Sequence, residues 1–107
     1  MTASFASRKF NIRKADSFGS RLMGLMGVKS LPKGQGLLLT NCGSIHCCFM
    51  RFTIDVIYLD KNNKVVAVET VKPWHLGKIL RGVKNVLEVN QGEAEGIHKG
   101  DEMIMEL

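Results

Sequence analysis

No apolar stretch in this sequence is long enough to cross a bilayer. The longest uncharged apolar stretches, such as Leu37–Leu39 and Val56–Leu59, fall far short of the ~18–20 residues a spanning helix needs. The opening residues lack the order of a secretory leader, because Met1 to Phe10 is Ser/Ala-rich and only then basic, at Arg8 and Lys9, whereas a leader places its charges before an apolar core. A disulfide framework is missing too. The three cysteines, Cys42, Cys47 and Cys48, are odd in number and crowded, unlike the even, spaced set of a secreted mini-protein. The expectation is a cytoplasmic protein with free thiols and no membrane partner. Acid is scarce in one half only. Residues 1 to 51 hold eight Lys/Arg against Asp16 alone, and residues 52 to 107 hold seven against nine Asp/Glu, so the net charge of +5 arises in the first half. Internal repeats and low-complexity segments are absent.

What is there has the makeup of one globular domain spanning residues 1–107: 45% of residues are hydrophobic and 23% charged, unlike a disordered chain. A chain of this length buries roughly 65% of its unfolded surface, so a core forms without disulfides or a structural metal.

Phe10-Asn11-Ile12-Arg13 alternates as a short half-buried strand, and its flanking charges point to a sheet edge. Asp16 or Ser17 can cap a helix in which Phe18, Leu22, Leu25 and Met26 form one apolar stripe, with Gly27 as its stop. Gly19 and Gly24 within it imply that the helix lies tightly on a sheet. Lys33 to Gly36 is a turn, and Gly36 to Thr40 reads as a buried strand. Ile45–Phe52 and Ile54–Leu59 follow as apolar runs, and the Asp60–Lys64 turn then leads into Val65–Val71 as a hairpin. Residues 72 to 84 form a long loop, Val86 to Val89 a strand, Gly92 to Ile97 a turn, and Met103 to Leu107 a closing strand. About seven short strands and one helix predict a mainly β (α+β) fold, a small sandwich or barrel with one short N-terminal helix packed on the sheet.

Several pieces then line up in order: Arg21 to Met26, Ile45-His46 to Phe52, Ile54 to Asp60, Pro73-Trp74, Val86-Leu87-Glu88, Gly96 and Gly100-Asp101. Over roughly residues 5 to 107 this set resembles the small-protein family catalogued as domain of unknown function 192. The resemblance implies a compact, mainly β fold and no assigned biochemical activity. Many proteins of that family resemble exported ones, whereas this chain begins directly at the domain. The family usually carries hydroxyl or bulky aromatic residues where this chain has Cys47 and Cys48, so a thiol function would be peculiar to this protein.

The densest chemical cluster is Cys42 to Cys48, which includes His46. Zinc sites announce themselves as paired C-x₂₋₄-C or H-x₃₋₅-H units, and no such pair of pairs occurs. Cys42, His46 and Cys48 with His75 or His98 is a conceivable ligand set, but buried inert cysteines are the simpler reading. No metal and no cofactor is expected. A thiol or hydrolytic enzyme would use Cys47 or Cys48 with a distant base, His75 or His98, because adjacent strand residues point to opposite faces. Paired carboxylates in one motif and a G-x-x-x-x-G-K-[ST] phosphate loop are both absent. The reading leans away from an enzyme and assigns no catalytic residue.

Asp55 shares a strand face with Ile57 and Leu59, so its carboxylate needs a partner. Arg51 and turn amides are the structural candidates, and a ligand is the functional one. Residues 72 to 84 carry Lys72, Lys78, Arg81 and Lys84 without an acid, beside Trp74 and His75. Such a loop could hold an anion or a nucleic-acid strand; alternatively, Trp74 packs as a lid while the charges stay solvated. Neither a helix-turn-helix nor an RRM signature supports nucleic acid, so that reading rests on charge alone. The resulting expectation is a monomeric binding or accessory module for a small anionic ligand or a protein partner. Its site would comprise His46, Met50, Arg51, Asp55, Lys72, Trp74, His75 and Arg81.

Overall fold

The computed structural model describes residues 1–15, 32–40, 52–72 and 80–107. The expected helix after Asp16, most of the Ile45–Phe52 strand and the Trp74 region lie outside the described residues.

Seven strands among the described residues form one sheet: β1 (Thr2–Ser4), β2 (Lys9–Ala15), β3 (Gln35–Leu39), β4 (Ile54–Leu59), β5 (Val65–Val71), β6 (Asn85–Asn90) and β7 (Ile104–Glu106). Their order is β5-β4-β6-β3-β2-β1-β7. The fold is mainly β, as expected. It is one sheet curled into a half-barrel, not two facing sheets. Curling brings the outer strands together at one end. There the Val65 amide donates to Asp101 O, the Gly100 amide to Val65 O and the Met103 amide to Asn63 O, each at 2.8 Å.

β1 escaped the sequence reading because its Thr-Ala-Ser has no apolar alternation. β2 is a correction. Its flanking Lys and Arg suggested an edge, yet it pairs with β1 on one side and with β3 on the other. Its charges can sit inside the sheet because Asn11, Arg13 and Lys14 project to solvent while Phe10 and Ile12 are buried.

The β4–β5 hairpin forms as its sequence predicts. Asp60 Oδ1 accepts from the Asn62 and Lys64 amides at 2.8 and 3.0 Å, and Asn63 takes φ 61°, a left-handed conformation that Asn tolerates better than most residues. The hydrogen bond from the Lys64 backbone is the main reason the Asp60 carboxyl is held below its ordinary range.

β2 and β3 are parallel neighbours. β4 is antiparallel to both β5 and β6, so β5 runs parallel to β6 with β4 between them. By the same logic β3 runs parallel to β4 across β6. Parallel strands cannot be joined by a hairpin, so each of these links must cross the sheet. Phe52, at the end of the β3–β4 link, and Leu80 and Val83, at the end of the β5–β6 link, pack on the same face. We call this the crossover face.

Two apolar layers result. The inner layer, on the concave side, holds Phe5, Phe10, Ile12, Leu38, Ile57, Leu59, Leu87 and Val89, and is covered by Ala94, Ile97 and Met103 from the last turns. The crossover face holds Leu37, Leu39, Ile54, Val56, Tyr58, Val71 and Val86. Every residue of β4 is buried, Asp55 included, which is why apolar residues of Ile54–Leu59 stand on both faces of the strand.

Candidate functional site

Register places one row of side chains across five strands of the crossover face. Arg13 pairs with Leu37, Leu37 with Glu88, Glu88 with Val56, and Val56 with Glu69. Adjacent strands lie ~4.8 Å apart, so Arg13 and Glu88 are about 10 Å apart at their backbones with Leu37 between them. Glu88 is only 3% exposed. Burial pushes its carboxyl up to about 8, so it is largely an uncharged acid at neutral pH.

Beside it, the fully buried Tyr58 donates its hydroxyl to Glu69 Oε2 at 2.5 Å. Glu69 therefore has an internal partner on this face. At the β2 margin burial stops abruptly: Leu37 is buried, whereas its neighbour Arg13 is exposed.

Asp55 belongs to the other face. Its side chain shares the inner layer with Ile57 and Leu59, as alternation predicted, and it is 5% exposed. Oδ1 accepts from Thr70 Oγ1 at 2.8 Å, and Oδ2 accepts from the Gly92 and Ala94 amides at 2.8 and 3.2 Å. The carboxylate ties β4 and β5 to the turn after β6, so it serves as the polar anchor that the sequence allowed.

Lys72, Arg81 and Lys84 are exposed, and Lys72 and Lys84 do not form one patch. Lys72 follows Val71, which pairs with Ile54, whereas Lys84 donates its amide to Leu59 O at 2.8 Å at the other end of β4. The two ends are about 17 Å apart along the strand at ~3.3 Å per residue. His46, Met50, Arg51, Trp74 and His75, with Cys42, Cys47 and Cys48, lie outside the described residues. His98 is exposed, and its amide donates to Asp101 Oδ2 at 2.8 Å. Among the described residues, no three His, Cys, Asp or Glu side chains are grouped to hold a metal.

Sequence reasoning passed over Glu88 and Arg13 as site residues. A signal for Glu88 was present: the acid stands between Leu87 and Val89 and shares a face with Val86, in a segment too apolar to leave one face wet. Arg13 had no such signal, because its relation to Glu88 depends on three strands that are distant in sequence.

Comparison with known proteins agrees with the fold. The DUF192 family model, described as Uncharacterized ACR, matches residues 1–105. A UPF0127 protein of Pyrococcus furiosus is 33% identical over 102 residues, covering 89% of this chain and 86% of its own. A UPF0127 protein of Pyrococcus horikoshii is 38% identical over 89 residues, covering 80% and 77% respectively. A crystal structure of a protein of unknown function from Novosphingobium aromaticivorans superposes with a TM-score of 0.83 at 21% identity, over 97% of this chain and 82% of that one. With its sheet, its order of motifs and nearly its whole length matched, the chain belongs to the uncharacterized DUF192 family.

Proposed function

We propose that this protein is a small binding module that takes an anionic ligand on the crossover face, at Glu88. The observation that carries this reading is the Glu88 carboxyl, only 3% exposed and pushed up to about 8 by burial in an apolar layer. An uncharged carboxylic acid in an apolar layer is a hydrogen-bond donor, and an anionic oxygen is the acceptor that gains most from it. Arg13, exposed on the same row, supplies positive charge at its margin. Binding asks for no nucleophile and no metal.

A thermal-shift panel of small anions, set against neutral and cationic molecules of similar size, tests this directly. A ligand that prefers the native state raises the melting midpoint by mass action. Anions should raise the midpoint of the unaltered chain, and Glu88→Leu, which keeps the face apolar, should abolish the shift. The reading fails if no anion raises the midpoint, or if Glu88→Leu responds as fully as the parent.

A further inference from the structure

We propose that the open edge of β7 takes an extended peptide segment of another protein as an added strand, with Met105 bonding its backbone and a basic side chain of the segment set against Glu106. Among the described residues β7 ends the sheet, four strands from Glu88 on β6, so this edge is separate from the proposed anion site. Its bonding direction follows from β1. The Ile12 amide donates to Met1 O and the Phe5 amide to Arg8 O, at 2.9 and 2.7 Å, so Met1, Ala3 and Phe5 bond toward β2, and Thr2 and Ser4 bond toward β7. Their register partners Glu106 and Ile104 therefore bond back to β1. The amide and carbonyl of Met105, between them, face the open side. Met103 has the same direction: its amide donates to Asn63 O at 2.8 Å, away from β1.

Native sheet edges are usually protected by charge, proline or a bulge. Here every residue of β7 is exposed, and two of them are large and apolar, Ile104 at 55% and Met105 at 37%. Main-chain bonds supply affinity for an added strand, and alternate side chains supply its specificity. Ile104 and Glu106 share one face, where the segment presents an apolar and a basic residue; Met105 lies on the other, where it presents an apolar one. The basic position follows from charge. Glu102 stands opposite Lys64, but the row of Glu106 continues through Thr2, Asn11 and Gln35, all uncharged. The cation of the neighbouring row, Lys9, is two strands from Ile104, or about 10 Å. A second copy of this chain fits the edge less well, because antiparallel pairing about Met105 sets each Ile104 against the Glu106 carboxylate of the other copy.

NMR titration of the isotope-labelled 107-residue chain at neutral pH tests this with acetyl-Thr-Lys-Val-Val-Thr-amide, whose lysine faces Glu106 and whose central valine faces Met105 in antiparallel pairing. The Met105 amide should shift downfield and gain protection from exchange, with a dissociation constant on the order of 1 mM. Replacing the lysine by glutamate should weaken binding by ~3-fold or more, and N-methylating the central valine, which removes its donor to Met105 O, by ~5-fold or more. Met105→Pro removes the outward amide and keeps the bonds to β1, so it should bind at least ~5-fold more weakly with an unchanged urea midpoint. If the proline variant loses stability, the N-methylated peptide carries the same test on the unaltered chain. Glu106→Lys should reverse the preference between the lysine and glutamate peptides. No shift at Met105 up to about 10 mM peptide, or equal binding of the N-methylated peptide, overturns strand addition. Equal binding of the lysine and glutamate peptides overturns the basic partner. A dimer of the chain alone in sedimentation equilibrium, abolished by Met105→Pro, assigns the edge to a second copy and overturns the proposal.

Discussion

The Asp55 carboxylate on β4 and the Gly92 amide in the turn after β6 meet at 2.8 Å across 37 positions of sequence. With Thr70 and Ala94 also donating, this one side chain holds the hairpin and the last turns together. Asp55→Ala leaves two amides and a hydroxyl to find other partners, and each lost bond to a charged group is worth about 1.5–3 kcal/mol. Asp55→Ala should therefore lower unfolding free energy by about 3 kcal/mol or more, measured by urea denaturation. Asp55→Asn, which keeps an acceptor, should lose less. A loss below about 1 kcal/mol for the alanine variant contradicts the anchoring role.

Glu88 makes stability depend on pH. Its carboxyl titrates near an ordinary 4.5 in the unfolded chain and at about 8 in the folded one. Between those values the folded state binds more protons than the unfolded state, so unfolding free energy falls as pH rises. The contribution is intact below about 4.5, is lost progressively up to about 8, and changes no further above that. The whole window corresponds to at most about 5 kcal/mol at 1.36 kcal/mol per unit. Urea midpoints from pH 4.5 to 9 should fall accordingly, and Glu88→Gln should flatten that slope. An equal slope in parent and variant assigns the dependence to other groups.

Tyr58 donates to Glu69 from a fully buried ring. Tyr58→Phe keeps the ring in the crossover layer and removes the donor to a carboxylate. The expected loss is about 1.5–3 kcal/mol. Because Glu69 and Glu88 flank Val56 on one face, a double-mutant cycle of Tyr58→Phe with Glu88→Gln should report coupling between them. Strict additivity would show that Tyr58–Glu69 and Glu88 act independently.

Gly36 on β3 lies tight against β6. A Cβ there would lie 3.1 Å from the Glu88 carbonyl oxygen and equally near Leu87 Cδ1 and Val89 Cγ1. Two of these neighbours are side chains, but the carbonyl belongs to a paired strand and cannot move alone. Gly36→Val should cost about 1–3 kcal/mol by overpacking. The midpoint of thermal unfolding checks it, and a neutral result would mean that the strands separate more readily than their packing indicates.

Much of this molecule is legible along the chain. The alternation around Phe10–Arg13, the apolar run Ile54–Leu59 and the Asp-Asn-Asn turn before Val65 each mark an element through short-range periodicity and turn chemistry, which depend on neighbouring residues alone. The need of Asp55 for a partner is legible for the same reason, since alternation put it beside Ile57 and Leu59. Its partners Gly92 and Ala94 are not, because nothing local announces a bond across the sheet. Strand order is likewise a property of the assembled sheet: the basic β2 looks like an edge in sequence and is interior in space. The same limit separated Lys72 from Lys84, which share one linear stretch but stand at opposite ends of β4. Sequence by itself determined a single β-rich domain, its hairpin and its apolar faces, because those follow from side-chain period and backbone preference. Only the tertiary structure decided that Arg13, Leu37 and Glu88 form one row, because strand register converts residues far apart in the chain into neighbours about 5 Å apart.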